Sequence, residues 1–424
     1  MTPRSTLVTT LLAALSCGGC DSSKNPSSSI ASSKAGAVSE VSQNTGRAGA
    51  GGAGDSQPVA LAGAGQGEQG GASGSVRLTG SAGDATSTGR DLDGGSSALP
   101  GTDATPGDDE PESGALRLFF VDSEGGQSTI IQLPNGQILV IDTGNAGTRD
   151  GDRMLAVLQG ELGASQIDYL LITHYDSDHV GGVPYLASRV SIGQFFDHGA
   201  TNAPAQYLAL ANAGAHRTLA AGDVLNLGGV SLNVVSAAGS VLSQPLSGGG
   251  MPNPFCEGAQ TALPGDPLDE NVNSVGVVLR FGTFDFLDLG DLLWPREHQL
   301  ACPNNQLGSI DLYLTTHHGT TRSGAPQLVR AIEPLAAVMN NGPRKGGGGS
   351  TWNTLALAPG AADVWQVHRA LGAPATENAP PDQIANLDEG QADLAGFLQV
   401  SVERSGQFTI LNPRSNFSKT YTSR

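Results

Sequence analysis

The amino-acid sequence predicts an α+β domain that follows a long unstructured N-terminal segment. The composition changes near residue 114, where a stretch rich in glycine, serine and alanine gives way to apolar runs. Beyond that point, runs of strand length alternate with helical runs. Several of the predicted strands also end at an aspartate or a histidine. These observations favour a β-scaffold whose loops gather polar side chains at one edge.

The first 113 residues are predicted to lie outside the folded domain. Residues 1–20 are typical of an export signal, with Arg4 at the positive end, an apolar core at 7–15 and small residues before Cys20. Residues 21–113 contain almost no large apolar side chain, so they cannot offset the entropy of ordering and are predicted to form a disordered linker. We therefore expect an exported protein, periplasmic, outer-surface or extracellular, with a lipid anchor through Cys20 as an alternative.

Residues 114–424 are assigned to one domain, whose elements are read from apolar periodicity and from glycine, proline and asparagine turns. A hairpin turn at residues 134–136 separates the second and third strands. The predicted order is strands 116–121, 128–133 and 137–141, helix 153–162, strand 167–172, helix 184–190, strand 192–196, helix 203–215, strands 223–227, 230–235, 274–281, 284–289, 310–315, 336–339 and 363–368, and a closing hairpin 397–402 and 407–411.

Two further segments lead to structural expectations. Cys256 and Cys302 lie in loop-like stretches and could pair in an oxidising compartment, although their spacing does not show a bond. The glycine-rich segment 346–349 lacks the pattern of a phosphate-binding loop, and no suitable helix is predicted directly after it. It is therefore interpreted as a mobile segment.

The stretch 173–182 carries two histidines and two aspartates within six residues, and it follows the apolar strand 167–172 directly. A tight loop at a strand end can direct several side chains at one point, and nitrogen and oxygen ligands suit Zn²⁺, Mn²⁺ or iron better than Ca²⁺. The alternative is an ordinary polar surface loop. The ligand residues that it contributes are His174, Asp176, Asp178 and His179.

Later strands also end in ligand-type residues. Asp291 follows strand 284–289, and the pair His317 and His318 follows strand 310–315. Together with the first cluster, these residues predict a two-metal centre in which an aspartate bridges ions about 4 Å apart. Each piece alone is weak, because an aspartate after a strand is usually a turn former and a histidine pair is usually a polar surface feature.

These motifs, taken in order, resemble the metallo-β-lactamase fold superfamily, and within it the soluble relatives of the β-lactamase-like domain of ComEC, the DNA-uptake protein. The resemblance covers nearly all of the chain from Leu116 to about Lys419. It implies a four-layer αββα sandwich with the metals at one edge, between the two sheets. The motifs that carry the resemblance are residues 120–129, 134–144, 173–182, 289–292 and 316–320.

The resemblance also implies a role for each site residue. Asp142 should steady the metal loop without ligating. The first metal should be bound by His174, and the order of motifs makes His198 a further candidate ligand. Either His317 or His318 should complete the second site, and we favour His317 because it comes first after the strand. The second metal should also be bound by Asp178 and His179, with Asp291 as the bridge.

One position departs from most of the superfamily, which has histidine where this chain has Asp176. A carboxylate is a harder and more negative ligand than imidazole, so the first site should shift toward Mn²⁺ or Mg²⁺, or bind its metal more weakly. The expected cofactor is Zn²⁺ at two sites, with Mn²⁺ as an alternative. Occupancy by a single metal also stays open.

The function that the resemblance implies is metal-dependent hydrolysis of a phosphodiester, in a small molecule or a nucleic acid, by a metal-bound hydroxide, with Asp178 and Asp291 as catalytic residues. The net charge of −18 lacks the basic footprint expected for DNA. The alternatives are an ester, lactone or β-lactam hydrolase, and a non-catalytic surface protein that holds metal. No protein partner is expected. The candidate substrate contacts are Asn271, Asn273, Ser274, Arg280 and Arg322.

Overall fold

The computed structural model describes residues 114–265, 267–360, 362–389 and 396–424. The predicted signal segment 1–20 with Cys20, and the whole of the predicted linker 21–113, lie outside the described residues. Within the described residues, no helix has the length and apolar character needed to cross a bilayer.

The predicted strands occur in the predicted order, and the structure adds strands at residues 215–218, 240–241, 251–252, 304–305, 384–386 and 417–422. In chain order the strands are β1 (Leu116–Val121), β2 (Thr129–Gln132), β3 (Ile138–Ile141), β4 (Gln166–Leu171), β5 (Ser191–Asp197), β6 (Ala215–Thr218), β7 (Val224–Leu227), β8 (Val230–Ala237), β9 (Ser240–Val241), β10 (Met251–Pro252), β11 (Gly276–Phe281), β12 (Phe284–Asp288), β13 (Asn304–Asn305), β14 (Leu312–Leu314), β15 (Ala336–Met339), β16 (Asp363–His368), β17 (Ile384–Asn386), β18 (Phe397–Val402), β19 (Gln407–Asn412) and β20 (Phe417–Thr422). The α-helices are α1 (Arg149–Leu155), α2 (Ser177–Val180), α3 (Val183–Ala187), α4 (Ala205–Ala213), α5 (Trp294–Ala301), α6 (Pro326–Ile332) and α7 (Gly349–Ala356).

The long strands form two large sheets. In the first sheet the order is β20-β19-β18-β1-β2-β3-β4-β5-β6, and in the second it is β17-β16-β15-β14-β12-β11-β8-β7, with β9 paired to β8. Strands β3 to β6 run parallel to one another, as do β12, β14, β15, β16 and β17. Because the carboxyl ends of parallel strands meet at one edge of their sheet, the loops that follow β3, β4 and β5 lie together, and so do those after β12, β14 and β15.

Alternate side chains of each strand enter different cores, since successive residues point to opposite faces of a sheet. In β1, Leu118 and Phe120 pack in the cluster between the two sheets, whereas Phe119 packs on the opposite face with Leu158 and Leu186 of the helical layer. A third cluster lies between the second sheet and helices α5, α6 and α7. These interfaces define helix, sheet, sheet and helix layers, so the predicted α+β four-layer fold is confirmed.

The structure differs from the sequence-based elements at several places. The first helix begins at Arg149, before the predicted residue 153, and its last turns from Ala156 to Glu161 are π-helical. The predicted helix 203–215 is shorter, because its end enters strand β6. Strand β20 was not predicted, and its residues are mostly exposed, so they carry little apolar alternation.

The prediction that no helix directly follows the glycine-rich segment 346–349 is wrong, because helix α7 starts within the segment, at Gly349. Its glycines also make specific backbone contacts, which are described below. Cys256 and Cys302 form a disulfide. This disulfide closes the loop 256–302, which contains β11, β12 and the predicted ligand Asp291.

Candidate metal centre

The loop after β4 carries four of the predicted ligands. Helix α2 begins just after Asp176, so Asp178 and His179 lie on the first turn of a short helix. Gly182 has ordinary right-handed helical backbone angles, but a Cβ atom there would lie only 2.2 Å from the carbonyl oxygen of Thr143. The glycine is needed because the segment packs directly on neighbouring backbone, not because it turns sharply there.

Asp142, at the end of β3, holds this loop in place. Its Oδ1 accepts the backbone N–H of Thr173 at 2.8 Å, and its Oδ2 accepts the Thr173 hydroxyl at 2.7 Å. The same Oδ2 lies 2.7 Å from Nδ1 of His179. When Nδ1 donates to this carboxylate, Nε2 of His179 is left to act as a ligand. The structure thus gives Asp142 the positioning role that the resemblance implies.

We call Asp178, His179, Asp291 and His318 the second half-site. Each offers one ligand atom, and these atoms all lie within 4.8 Å of one another. His179 Nε2 lies 3.4 Å from Asp178 Oδ2 and 3.3 Å from Asp291 Oδ2. His318 Nε2 lies 3.3 Å from Asp178 Oδ2 and 3.2 Å from Asp291 Oδ2. Loops from three different strands therefore converge on one point.

The histidine pair after β14 occupies an unusual turn. Both residues have left-handed backbone angles, with φ of 55° at His317 and 57° at His318. This turn places His318 beside Asp178 and His179, whereas Nε2 of His317 lies 3.4 Å from Asp291 Oδ2 and its Nδ1 lies 3.3 Å from Ser323 Oγ. The preference for His317 over His318 in the sequence is therefore corrected, because the order along the chain does not decide direction in a left-handed turn.

We call His174 and Asp176 the first half-site. His174 Nε2 lies 3.6 Å from Asp176 Oδ2. The imidazole of His174 is fully buried, but 45% of the Asp176 side chain is exposed. The other ring nitrogen of His174, Nδ1, lies 3.1 Å from the Thr173 hydroxyl. The first half-site is thus more open than the second.

His198 has a different partner. It follows β5, as the sequence predicts, but its Nε2 lies 2.8 Å from Oε1 of Glu270. The other oxygen of Glu270 accepts hydrogen bonds from Asn202 at 2.7 Å and Asn273 at 3.1 Å. Burial lowers the pKa of His198, and the Glu270 carboxylate opposes that shift. The structure thus places His198 in a polar network beside Tyr175 and does not bring it into the second half-site.

The charges of the second half-site support one another. Burial alone would raise the pKa of Asp178, but hydrogen bonds from His179 and His318 hold it well below its usual value. Burial also opposes ionisation of Asp291, yet the same imidazoles and His317 keep its pKa well below its usual value. The centre therefore keeps its carboxylates ionised, as metal ligands must be.

The donor set fits a pair of divalent metal ions. Among the described residues, His174 Nε2 and Asp291 Oδ1 are buried without a hydrogen-bond partner. Buried polar atoms are rarely left unpaired, and imidazole nitrogen with carboxylate oxygen is the ligand chemistry of Zn²⁺, Mn²⁺ and iron. Oδ2 of Asp291 lies beside His179 and His318, whereas its Oδ1 has no partner among the described residues and could bind a second ion.

Two of the three predicted substrate contacts near β11, Ser274 and Asn273, are hydrogen-bonded to residues of the site. Ser274 Oγ accepts the backbone N–H of Asp291 at 3.2 Å, so this serine positions the aspartate. Asn273 donates to Glu270, as described above. Asn271 is buried, and its Oδ1 has no hydrogen-bond partner among the described residues.

The two predicted anion clamps both make ion pairs. Arg280 pairs with Asp285 of the neighbouring strand β12 at 3.2 Å. Arg322 pairs with Asp269 at 2.9 Å. Lys345 was not singled out in the sequence, yet its Nζ pairs with Asp178 Oδ2. Glu270 was missed too, because a lone glutamate in a long loop gives no signal of its partner.

The layers and the edge cluster define an αββα protein with a candidate metal site. The family model described as "Metallo-beta-lactamase superfamily" matches residues 121–208, which run from the end of β1 into α4 and include the first half-site. This match supports the superfamily that the motifs resemble. No curated protein sequence matches the chain significantly.

Two solved structures resemble the chain at low identity. The diiron β-hydroxylase CmlA from Streptomyces venezuelae is 15% identical over 53% of this chain and 44% of its own, with a TM-score of 0.33. The metallo-β-lactamase fold protein YhfI from Bacillus subtilis is 11% identical over 53% of this chain and 85% of its own, with a TM-score of 0.35. The chain spans less than half the length of CmlA. Neither likeness informs the activity of this chain.

Proposed function

We propose that this protein is an exported metal-dependent hydrolase whose substrate is a phosphodiester. The observation that carries the proposal is the convergence of Asp178, His179, Asp291 and His318 next to the His174 ring, with Oδ1 of Asp291 buried and unpartnered among the described residues. An aspartate shared between neighbouring ions is the arrangement used for in-line displacement at phosphorus. The resemblance to ComEC-like relatives favours the same bond.

The residues of the centre would have two roles, binding the metal ions and orienting a water molecule. His174 and Asp176 would hold one ion, Asp178, His179 and His318 would hold the other, and Asp291 would serve both. Zn²⁺ or Mn²⁺ bound there supplies a Lewis acid and makes a neighbouring water more acidic. In this proposal Asp178 would also orient that water through a carboxylate oxygen.

Export is part of the proposal. The Cys256–Cys302 disulfide supports it, since such bonds persist in oxidising compartments. The acidic balance of the chain disfavours long nucleic acid, so we favour a small phosphodiester over DNA.

The test is hydrolysis of bis(p-nitrophenyl) phosphate by the full chain, reconstituted separately with Zn²⁺ and Mn²⁺. His174→Ala should abolish turnover, whereas His298→Ala, a histidine outside both half-sites, should not. A chromogenic acetate ester and a chromogenic β-lactam form the other arms. Turnover of either, with none of the phosphodiester, would replace the proposed bond with an ester or amide, and metal binding without any turnover would favour a binding protein.

A further inference from the structure

Lys345 is a cation at the edge of the metal centre. Its Nζ pairs with Oδ2 of Asp178, and 42% of its side chain is exposed. The same Oδ2 lies 3.4 Å from Nε2 of His179 and 3.3 Å from Nε2 of His318. The ammonium group therefore lies between the second half-site and solvent, where a substrate would arrive.

The backbone around Lys345 is fitted to the histidine turn. Gly347 N–H donates to the His318 carbonyl at 3.0 Å, and Gly348 N–H donates to the Gly319 carbonyl at 2.9 Å. Gly346 has a φ of +75°, and a Cβ atom there would lie 1.9 Å from the His318 carbonyl oxygen. Only glycine permits both this conformation and this approach. The loop thus sets the position of Lys345 relative to His318.

The other side of the lysine is equally confined. A Cβ atom at Gly125 would lie 2.8 Å from Cβ of Lys345, so the lysine stem rests directly on the backbone after β1. The carbonyl of Lys345 also accepts the N–H of Gly342 at 2.8 Å. These contacts hold the stem while the side chain stays partly exposed, so its charged end can reach a ligand at the edge of the centre.

The pairing with Asp178 suggests what that ligand is. A metal ion held by Asp178 would compete with Lys345 for the same oxygen, Oδ2. The ammonium group would then need other acceptors, because it carries three N–H donors and no acceptor. An anionic oxygen of the substrate, next to the metal centre, would satisfy it.

We infer that Lys345 binds a phosphoryl oxygen of the substrate. This inference rests on the proposed function, since it names the anionic group that the same site recognises. Lysine binds phosphate as a compact point charge. A carboxylate would offer similar oxygens, so the test separates the two anions.

The experiment is calorimetric titration of inorganic phosphate, and separately of acetate, into the zinc-loaded full chain. Lys345→Met should weaken phosphate binding at least tenfold, and Lys345→Arg should keep most of it. Arg344→Met is the matched control, because Arg344 lies on the same loop but pairs with Glu389 at the surface. Acetate should bind much more weakly than phosphate. Bound zinc should be equal in all variants.

Several outcomes would overturn the inference. They are unchanged phosphate affinity in Lys345→Met, absence of phosphate binding by the wild-type protein, and acetate bound as tightly as phosphate. If Lys345→Met fails to fold, Lys345→Gln takes its place. Lys345-dependent phosphate binding without phosphodiester turnover would refute only the proposed function, and turnover with unchanged phosphate binding would refute only the role of Lys345.

Discussion

The two half-sites of the metal centre are built differently. In the second half-site, ligand atoms of Asp178, His179, Asp291 and His318 already lie within 4.8 Å of one another, and both imidazoles are fully buried. In the first half-site, His174 is buried, but nearly half of its partner Asp176 is exposed. His198, which could have added a ligand, is engaged by Glu270.

The two half-sites use similar ligand types, but they differ in how firmly the backbone holds the ligands. The position of the backbone therefore decides how completely a site is formed before metal binds. The second half-site is fixed by the ends of several buried strands, and the burial of its side chains leaves them little freedom to lose on binding. Asp176 would have to be ordered when metal binds. We therefore expect the second half-site to bind metal more tightly, and the first to be the one that empties on dilution.

The largest effect should come from Asp291→Ala, because Asp291 lies in the second half-site and is proposed to bridge to the first. We expect loss of stoichiometric metal and a drop in kcat/KM on the order of a thousandfold. Metal content by mass spectrometry and thermal unfolding would be measured together. Asp285→Asn, a change outside the centre on strand β12, which precedes Asp291, is the control. Full metal retention in Asp291→Ala would show that Asp291 is not needed to hold either metal ion.

The second effect concerns the histidine pair. His318→Ala should weaken the tighter metal by more than roughly a hundredfold, because loss of a supporting residue alone costs 10 to 100-fold. His317→Ala should cost only about tenfold, since His317 contacts Asp291 without joining the second half-site. Competition with a metal chelator would measure both affinities. Equal losses in the two variants would show that both histidines ligate.

A smaller effect is expected at the first half-site. Asp176→Ala should lower the bound metal from two equivalents to one and leave the tighter affinity unchanged, because Asp176 lies outside the second half-site. Asp176→His should restore the second equivalent and favour Zn²⁺ over Mn²⁺, since imidazole is the softer ligand. The check is titration with each metal. Loss of both equivalents in Asp176→Ala would mean that the half-sites fill as one unit.

No change in metal binding is expected for Glu297→Gln. Glu297 is a buried carboxyl whose pKa is raised, in contrast to Asp178 and Asp291 in the centre, whose pKa values are lowered. Glu297 is fully buried and accepts the N–H groups of Gly324 and Ala325 at 3.0 and 2.9 Å. Burial raises the pKa of its carboxyl to about 7, although those N–H groups lower it. Since the folded pKa exceeds the unfolded value of 4.5, its contribution to stability is complete below pH 4.5 and is lost as the pH rises toward 7.

The loss should be on the order of 3 kcal/mol for this fully buried group. Denaturant unfolding at pH 4.5 and pH 7.5 would measure it as a difference between the wild type and Glu297→Gln. The variant should lack this component of the pH dependence. An identical pH slope in both proteins would mean that Glu297 is ionised in the folded state.

The sequence predicted most of the fold because apolar runs at strand spacing are hard to mistake. Strands β15 and β16 lie where apolar periodicity predicts them. The failures have physical causes. Strand β20 carries mainly exposed residues, and the helix expected at 203–215 ends early because β6 joins the parallel edge of the sheet.

The site was predictable as a set of residue types, but not as contacts. Ligands that follow strands were found from their positions, whereas the choice between His317 and His318 depends on backbone angles that no spacing reveals. Lys345 was missed for a similar reason, because a run of glycines looks mobile until its fit against the histidine turn is known.

The turn at His317 and His318 has a consequence for evolution and engineering. Left-handed backbone costs a residue with a side chain about 1 to 2 kcal/mol, and two such residues stand in succession here. Replacing His317 by glycine should therefore make the protein more heat-resistant while weakening the surroundings of Asp291. Selection for heat resistance alone would therefore favour glycine at this position, although the His317 imidazole contacts Asp291. Directed evolution toward a higher melting temperature would weaken that support of the centre while leaving His318 in place.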